Sequence, residues 1–270
     1  MTIASLDDYI ASTKQVLTYF KSNSITTVAG IQFSLFNLLG SPGSGVLGGS
    51  NTSIGVIPDA NTAGTPNIYS FNTGSTGYLS TVDFASTVAG RLYLYDMVWK
   101  GGPYNFNSVV TVNPPSYSGR MPDFNPSTPL AYGMGNQIWL ETVTAFTGLQ
   151  TANISYTNAQ GTAGQFTGNV ATGVAPGINR MFRMPLAAGD NGVSNITAVR
   201  SYVSTIGTFN VLVLRPLWQG RIIVVNGGDC HGIDKTGLPI VYANSALFVT
   251  TSTDSTSSGV PELQIEFANK

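Results

Sequence analysis

The stretch 91–99, Arg-Leu-Tyr-Leu-Tyr-Asp-Met-Val-Trp, constrains the fold most. It alternates with period two, placing Leu92, Leu94, Asp96 and Val98 on one face and Tyr93, Tyr95, Met97 and Trp99 on the other. Both faces are largely apolar, which predicts a strand whose sheet is covered on each side. The pattern has an echo. Ser86-Thr-Val-Ala-Gly launches the first Trp strand, and Ser204-Thr-Ile-Gly-Thr launches a second at 211–218, which closes on Trp218. The match extends back, with Leu79, Val82, Ser86 and Thr87 answered by Ile196, Val199, Ser204 and Thr205. It also extends forward. Each Trp strand is followed by a loop and a late hairpin, 139–148 into 153–158 and 248–257 into 264–269, so that Tyr156 and Asn158 match Phe267 and Asn269. Chance likeness between alternating stretches is the competing reading. Duplication predicts two related four-strand units, about 77–165 and 192–270, forming one β-sandwich or two small ones with a shared core.

Composition bounds the surface. Hydrophobic residues make up 42% and aromatics 10%, which excludes a disordered chain. Charged residues make up only 9%, against about 25% in an average soluble domain. Such a surface, hydrated by hydroxyls and amides, suits a protein packed against copies of itself or other subunits. With a formal net charge of -1 and no Lys/Arg-rich arm, direct nucleic-acid binding is not expected. The single cysteine, Cys230, allows no internal disulfide framework. The first residues lack the pattern of a signal peptide, and no apolar run reaches the roughly 18 residues of a membrane span. The expectation is a non-membrane protein made in the cytoplasm.

Taken in order, residues 5–21 read as a helix. Ser5 is its N-cap, Asp8 completes a capping-box-like pair, and Leu6, Ile10, Thr13, Leu17 and Phe20 form an apolar stripe. This helix packs on its own domain or serves as an arm reaching another subunit. Residues 22–72 read as a Gly/Ser/Asn/Thr-rich connector, with 31–39 either strand or short helix. Strands are expected at 78–86, 91–99 (ended by Gly101-Gly-Pro), 137–146, 151–158, 165–172, 180–186, 193–204, 208–218, 221–226, 240–242, 246–252 and 262–268. Gly227-Gly-Asp-Cys-His-Gly reads as a loop. The fold class is therefore mainly β, an antiparallel jelly-roll-like β-sandwich or two tandem related β units, with one N-terminal helix. The expected organisation is arm and connector 1–72, first β unit 73–178 and second β unit 179–270. Removing residues 1–40 is then expected to leave a soluble β protein.

The chain holds little that reads as reaction chemistry. Asp229, Cys230, His231 and Asp234 cluster, but His231 is the only histidine and no second cysteine exists to complete a zinc site. A thiol catalyst also needs an oriented base, which adjacent loop residues rarely supply. Asp229 and Asp234 could at most hold a hard cation with backbone carbonyls. Asp96, Glu141 and Asp123 could pair as glycosidase carboxylates, though buried carboxylates more often pair with cations such as Arg91, Arg120 or Arg180. Tyr93, Tyr95, Trp99, Tyr104 and Phe106 could form a sugar platform, or simply pack in core and interfaces. No catalytic, cofactor-binding or metal residue is assigned, no cofactor is called for, and an enzyme is not expected.

The chain resembles the virion structural proteins of tailed bacteriophages. The resembling residues are Leu92-Tyr-Leu-Tyr-Asp-Met-Val-Trp, Ser118-Gly-Arg-Met-Pro, Ile138-Trp-Leu-Glu-Thr-Val-Thr-Ala, Ile154-Ser-Tyr-Thr-Asn-Ala-Gln-Gly, Met184-Pro-Leu-Ala-Ala-Gly-Asp-Asn-Gly-Val-Ser and Phe209-Asn-Val-Leu-Val-Leu-Arg-Pro-Leu. These are strand and turn patterns, covering about residues 75–220. The resemblance implies a β-rich accessory particle protein: a capsid decoration or cement protein, a homo-oligomer such as a trimer, located in the virion. Its partners would be itself and the major capsid protein or other virion proteins. A tail or baseplate component and a carbohydrate-binding host-adhesion module stand as alternatives.

Overall fold

The computed structural model describes residues 3–49, 51–73, 75–106, 109–121, 132–148, 151–171, 177–202 and 206–270. Pro122, Asp123, Ser204 and Thr205 lie outside them. The chain is mainly β, with antiparallel sheets and one short N-terminal helix, α1 (Leu6–Ala11). The strands are β1 (Thr13–Lys21), β2 (Gln32–Ser34), β3 (Gly40–Ser41), β4 (Gly77–Ser86), β5 (Gly90–Asn105), β6 (Val109–Thr111), β7 (Gln137–Thr144), β8 (Thr151–Asn158) and β9 (Gln165–Phe166). They continue as β10 (Val170–Ala171), β11 (Met181–Met184), β12 (Val193–Ser201), β13 (Thr208–Ile222), β14 (Gly227–His231), β15 (Ile240–Val241), β16 (Leu247–Thr253) and β17 (Pro261–Asn269). A four-residue helix, α2 (Ile233–Thr236), follows β14.

The helix expected at 5–21 ends at Ala11. Ser5 does cap it, accepting a hydrogen bond from the Asp8 amide at 3.1 Å. The chain then turns extended at Ser12 and runs as β1, paired with β17 from Thr13↔Asn269 to Phe20↔Glu262. Leu17, Tyr19 and Lys21 point inward, while Leu6 and Ile10, the start of the expected stripe, are exposed. Thr, Val, Tyr and Phe in this stretch favour the pleated surface, and a full partner strand decides against the helix. A truncation of residues 1–40 therefore removes a paired strand of the sheet rather than a detached arm. Residues 31–39 hold the short β2 and then bury Leu35, Phe36 and Leu38.

The chain divides into two compact units. Unit 1 is Met1–Val46, Asp59–Asp96 and Leu217–Lys270; unit 2 is Leu47–Pro58 and Met97–Pro216. The segments 73–178 and 179–270 thus each give strands to both units. The chain passes between units within β5 and within β13, each longer than its sequence pattern suggested. β5 continues through Gly101-Gly102-Pro103, and β13 joins the expected 208–218 and 221–226 strands.

In unit 1, the sheet β14-β4-β17-β1-β3 lies across the core from β5, β16 and β2. Leu79, Val82, Phe84, Leu263, Ile265 and Phe267 from the first sheet meet Leu92, Leu94, Leu247 and Val249 from the second. In unit 2, the sheet β10-β8-β12-β6 lies across from β13, β7 and β11, and Ile154, Tyr156, Ile196 and Val199 meet Ile138, Leu140, Val211 and Val213. Each unit is a β-sandwich. The two hairpins expected at 137–158 and 246–268 do not form. β7 and β8 lie in opposed sheets, as do β16 and β17, because each pair faces one core from two sides.

The internal repeat is present in the strand registers. In β4 and β17, Val82 opposes Ile265 and Leu79 opposes Phe267, with a bulge that leaves out Ser80. In β12 and β8, Val199 opposes Ile154 and Ile196 opposes Tyr156, with a bulge that leaves out Thr197. The bulge falls at equivalent residues of the two repeats, and bulges are placed features rather than accidents of a ladder. The equivalence continues: β16 pairs β5 as β7 pairs β13, β14 pairs β4 as β6 pairs β12, and β2 pairs β16 as β11 pairs β7. At the edges, Val16 opposes Glu266 as Phe166 opposes Ser155. Each sandwich therefore takes its early strands from one repeat and its late strands from the other.

Candidate functional site

The carboxylates singled out in the sequence lie in different units. Asp96, fully buried in unit 1, accepts from the Ser245 hydroxyl at 2.7 Å and the Ala246 amide at 3.1 Å. It anchors the turn that enters β16. Glu141, fully buried in unit 2, accepts from Asn210 Nδ2 at 2.9 Å, and its Oε1 has no hydrogen-bond partner among the described residues. Lys100 is also buried there. Desolvation lowers its pKa, and the negative charge of Glu141 opposes that shift. Arg120 donates to the carbonyls of Met97, at 2.9 Å, and Pro58, so it braces backbone. Arg180 stacks over the Phe182 ring at 4.9 Å, and burial lowers its pKa. These contacts are those of core polar groups.

The aromatic platform does not form. Trp99, Tyr104 and Phe106 are buried, with Trp99 Nε1 donating to the Ile54 carbonyl at 3.1 Å and the Tyr104 hydroxyl to the Thr52 carbonyl at 3.0 Å. In unit 1, Tyr93 stacks on the buried Tyr95 with centroids 6.3 Å apart. The segment 52–54 covers Trp99 and Tyr104, and Phe106 packs against Phe146 and Phe209 with centroids 4.4 and 4.5 Å apart, which makes these rings core.

Residues 227–231, expected as a loop, are strand β14, hydrogen-bonded to β4 from Gly227↔Ser86 to His231↔Val82. Alternation along the strand sends Cys230 to the opposite face from Asp229 and His231, so thiol and imidazole do not form a dyad. His231 Nδ1 accepts from Trp218 Nε1 at 3.0 Å, and its Nε2 lies 3.6 Å from Asp229 Oδ2. Phe84 packs edge-on to both rings, at 4.7 Å from Trp218 and 5.0 Å from His231. Asp229 also lies 3.8 Å from Lys235. The imidazole is thus held as part of an aromatic corner. Among the described residues no group of three or more His, Cys, Asp or Glu is placed to hold a metal ion.

Two features escaped the sequence. Lys21 is completely buried on β1, with Nζ donating to the carbonyls of Leu38 at 3.0 Å and Pro42 at 2.9 Å, and burial lowers its pKa to about 8. The only signal for it was the two-residue spacing from Leu17 and Tyr19. The second is an open cleft of about 580 Å³ in unit 2, lined by Asn136, Gln137, Arg183, Pro185, Asp190 and Asn191 among others. Asp190 accepts from the Tyr156 hydroxyl at 2.6 Å and Asn158 Nδ2 at 2.7 Å, and desolvation with that bond raises the Tyr156 pKa to about 12. Arg183 gives the cleft a cation, and Asn136, Gln137 and Asn191 give it amides.

No protein-family model and no curated protein matches the chain. Among solved structures, it is similar to the crystal structure of the infectious bursal disease virus VP2 subviral particle, with 12% identity over 99% of this chain and 82% of that one, at a TM-score of 0.19. It is also similar to the structure of infectious bursal disease virus Gt strain, with 11% identity over 95% and 81%, at a TM-score of 0.20. Scores of this size carry no argument about fold or role. No helix among the described residues is long and apolar enough to cross a membrane.

Proposed function

We propose that the chain is a structural protein of a tailed-bacteriophage virion, acting as a decoration or cement protein that binds the assembled shell, and that it is not an enzyme. The observation that supports this best is the distribution of polarity. Buried polar groups such as Asp96, Arg120 and Lys21 hold backbone and turns, whereas apolar side chains stand in solvent. Ile223, Val224 and Val225, at the tip joining β13 and β14, are 75%, 67% and 59% exposed. On a surface of such low charge, exposed apolar tips are suited to burial against other subunits. A protein that binds the assembled lattice and not its dissociated parts stabilises the shell by mass action. The resemblance of the strand motifs to those of virion proteins supports the same reading, and partners would be the major capsid protein and further copies of this chain.

Quantitative peptide mass spectrometry of purified virions tests the proposal. The expected result is this chain at a copy number that is a simple fraction of the major capsid protein. Its absence from virions would overturn the reading, and labelling confined to tails would move it to the tail.

A further inference from the structure

The two sandwiches present equivalent outer sheet faces with opposite charge. In unit 1, the register places Thr18, Gln264, Asp83 and Cys230 in one row, with Phe20, Glu262 and Ala85 in the next. The Asp83 and Glu262 side chains are exposed and make no hydrogen bond or ion pair among the described residues, and Val16 and Phe20 stand exposed beside them. In unit 2, Val109, Arg200 and Asn153 share a row. Because Val82 corresponds to Val199, Asp83 and Arg200 occupy the same position of the two repeats. Arg200 makes no ion pair among the described residues. Its guanidinium lies 5.3 Å from the Phe166 ring, and its Nε donates to the Ser155 hydroxyl at 3.3 Å. Phe166, Val109 and Tyr202 are 47%, 60% and 58% exposed around it.

We propose that the acidic outer face of unit 1 docks on the basic, aromatic-flanked outer face of unit 2 in a second copy of this chain. Each face combines unpaired charge with exposed apolar side chains, and the signs match only between unlike faces. Like faces meeting would set Asp83 and Glu262 against their own copies, which is repulsive. Contact between unlike faces is heterologous, so a joined pair still offers one free acidic and one free basic face and the association propagates into a ring or chain. The divergence of one duplicated position into Asp and Arg supplies the specificity. This deepens the self-association part of the proposed function.

Sedimentation velocity on the purified full chain, without particles, tests it. The expected result is concentration-dependent association that weakens with salt. Asp83→Arg and Arg200→Asp should each weaken it by about tenfold or more in Kd, with unchanged thermal midpoints because both side chains lie on a solvent face. An equal mixture of the two variants should associate again, as should the double variant. A wild-type chain that stays monomeric, single variants that associate normally, or a mixture that does not recover would each overturn the inference. Virion incorporation is measured separately, so either proposal can fail alone.

Discussion

Asp96 shows what a buried carboxylate does in this molecule: it collects a hydroxyl and a backbone amide from the turn before β16. Asp96→Ala strands both donors and is expected to cost about 3 kcal/mol, read as a lower denaturant midpoint with unchanged slope. Lys21 is the opposite case, a cation whose contacts are carbonyls. Its folded pKa, about 8, lies below the ordinary 10.5. Between these values the unfolded chain holds a proton that the folded chain has released, so this group adds stability as pH rises through that window and subtracts it below pH 8. The thermal midpoint of the wild type relative to Lys21→Met is therefore expected to rise from pH 8 to 10.5. A flat or falling difference would refute the assignment.

At the scale of elements, β1 is the instructive case. Its apolar spacing satisfies a helix as well as a strand, because Val16 and Phe20 are apolar on the solvent side and Lys21 is polar on the core side. The competition is decided by β17, which sits at the other end of the chain and cannot enter a local pattern. Tyr19→Ala is expected to cost about 3–5 kcal/mol, as for other buried aromatics, while Ile10→Ala on the exposed helix stays within about 0.5 kcal/mol. Equal effects in equilibrium unfolding would contradict the strand. The same principle hid β14, whose Gly-rich sequence is loop-like until β4 supplies its hydrogen bonds. Of the site candidates, the sequence singled out Asp96 and Glu141 with arginines as their expected partners, and His231 within a polar cluster, but it did not name the groups they meet. What each touches was set by Ser245, Asn210 and Trp218, residues far along the chain or across a strand.

At the scale of the molecule, duplication is legible in the sequence and its wiring is not. Each sandwich mixes strands of both repeats, so a cut between the repeats does not separate the units. A protease site placed at 162–163, in the exposed turn after β8, is expected to yield two fragments that co-elute in native buffer and part only in denaturant. Fragments that separate without denaturant would count against the interleaved arrangement. Alternation, turn residues and the Trp-strand echo are local properties, and by themselves they determined that the chain is β, antiparallel and internally repeated. Which strand lies beside which was decided only by tertiary structure. Loop closure costs little more for a distant partner than for a near one, and a one-residue register error would turn a whole core face outward. Core burial therefore selected the long-range pairing of β4 with β17 and β12 with β8, and made the aromatic strand 91–99 the place where the chain passes from one sandwich to the other.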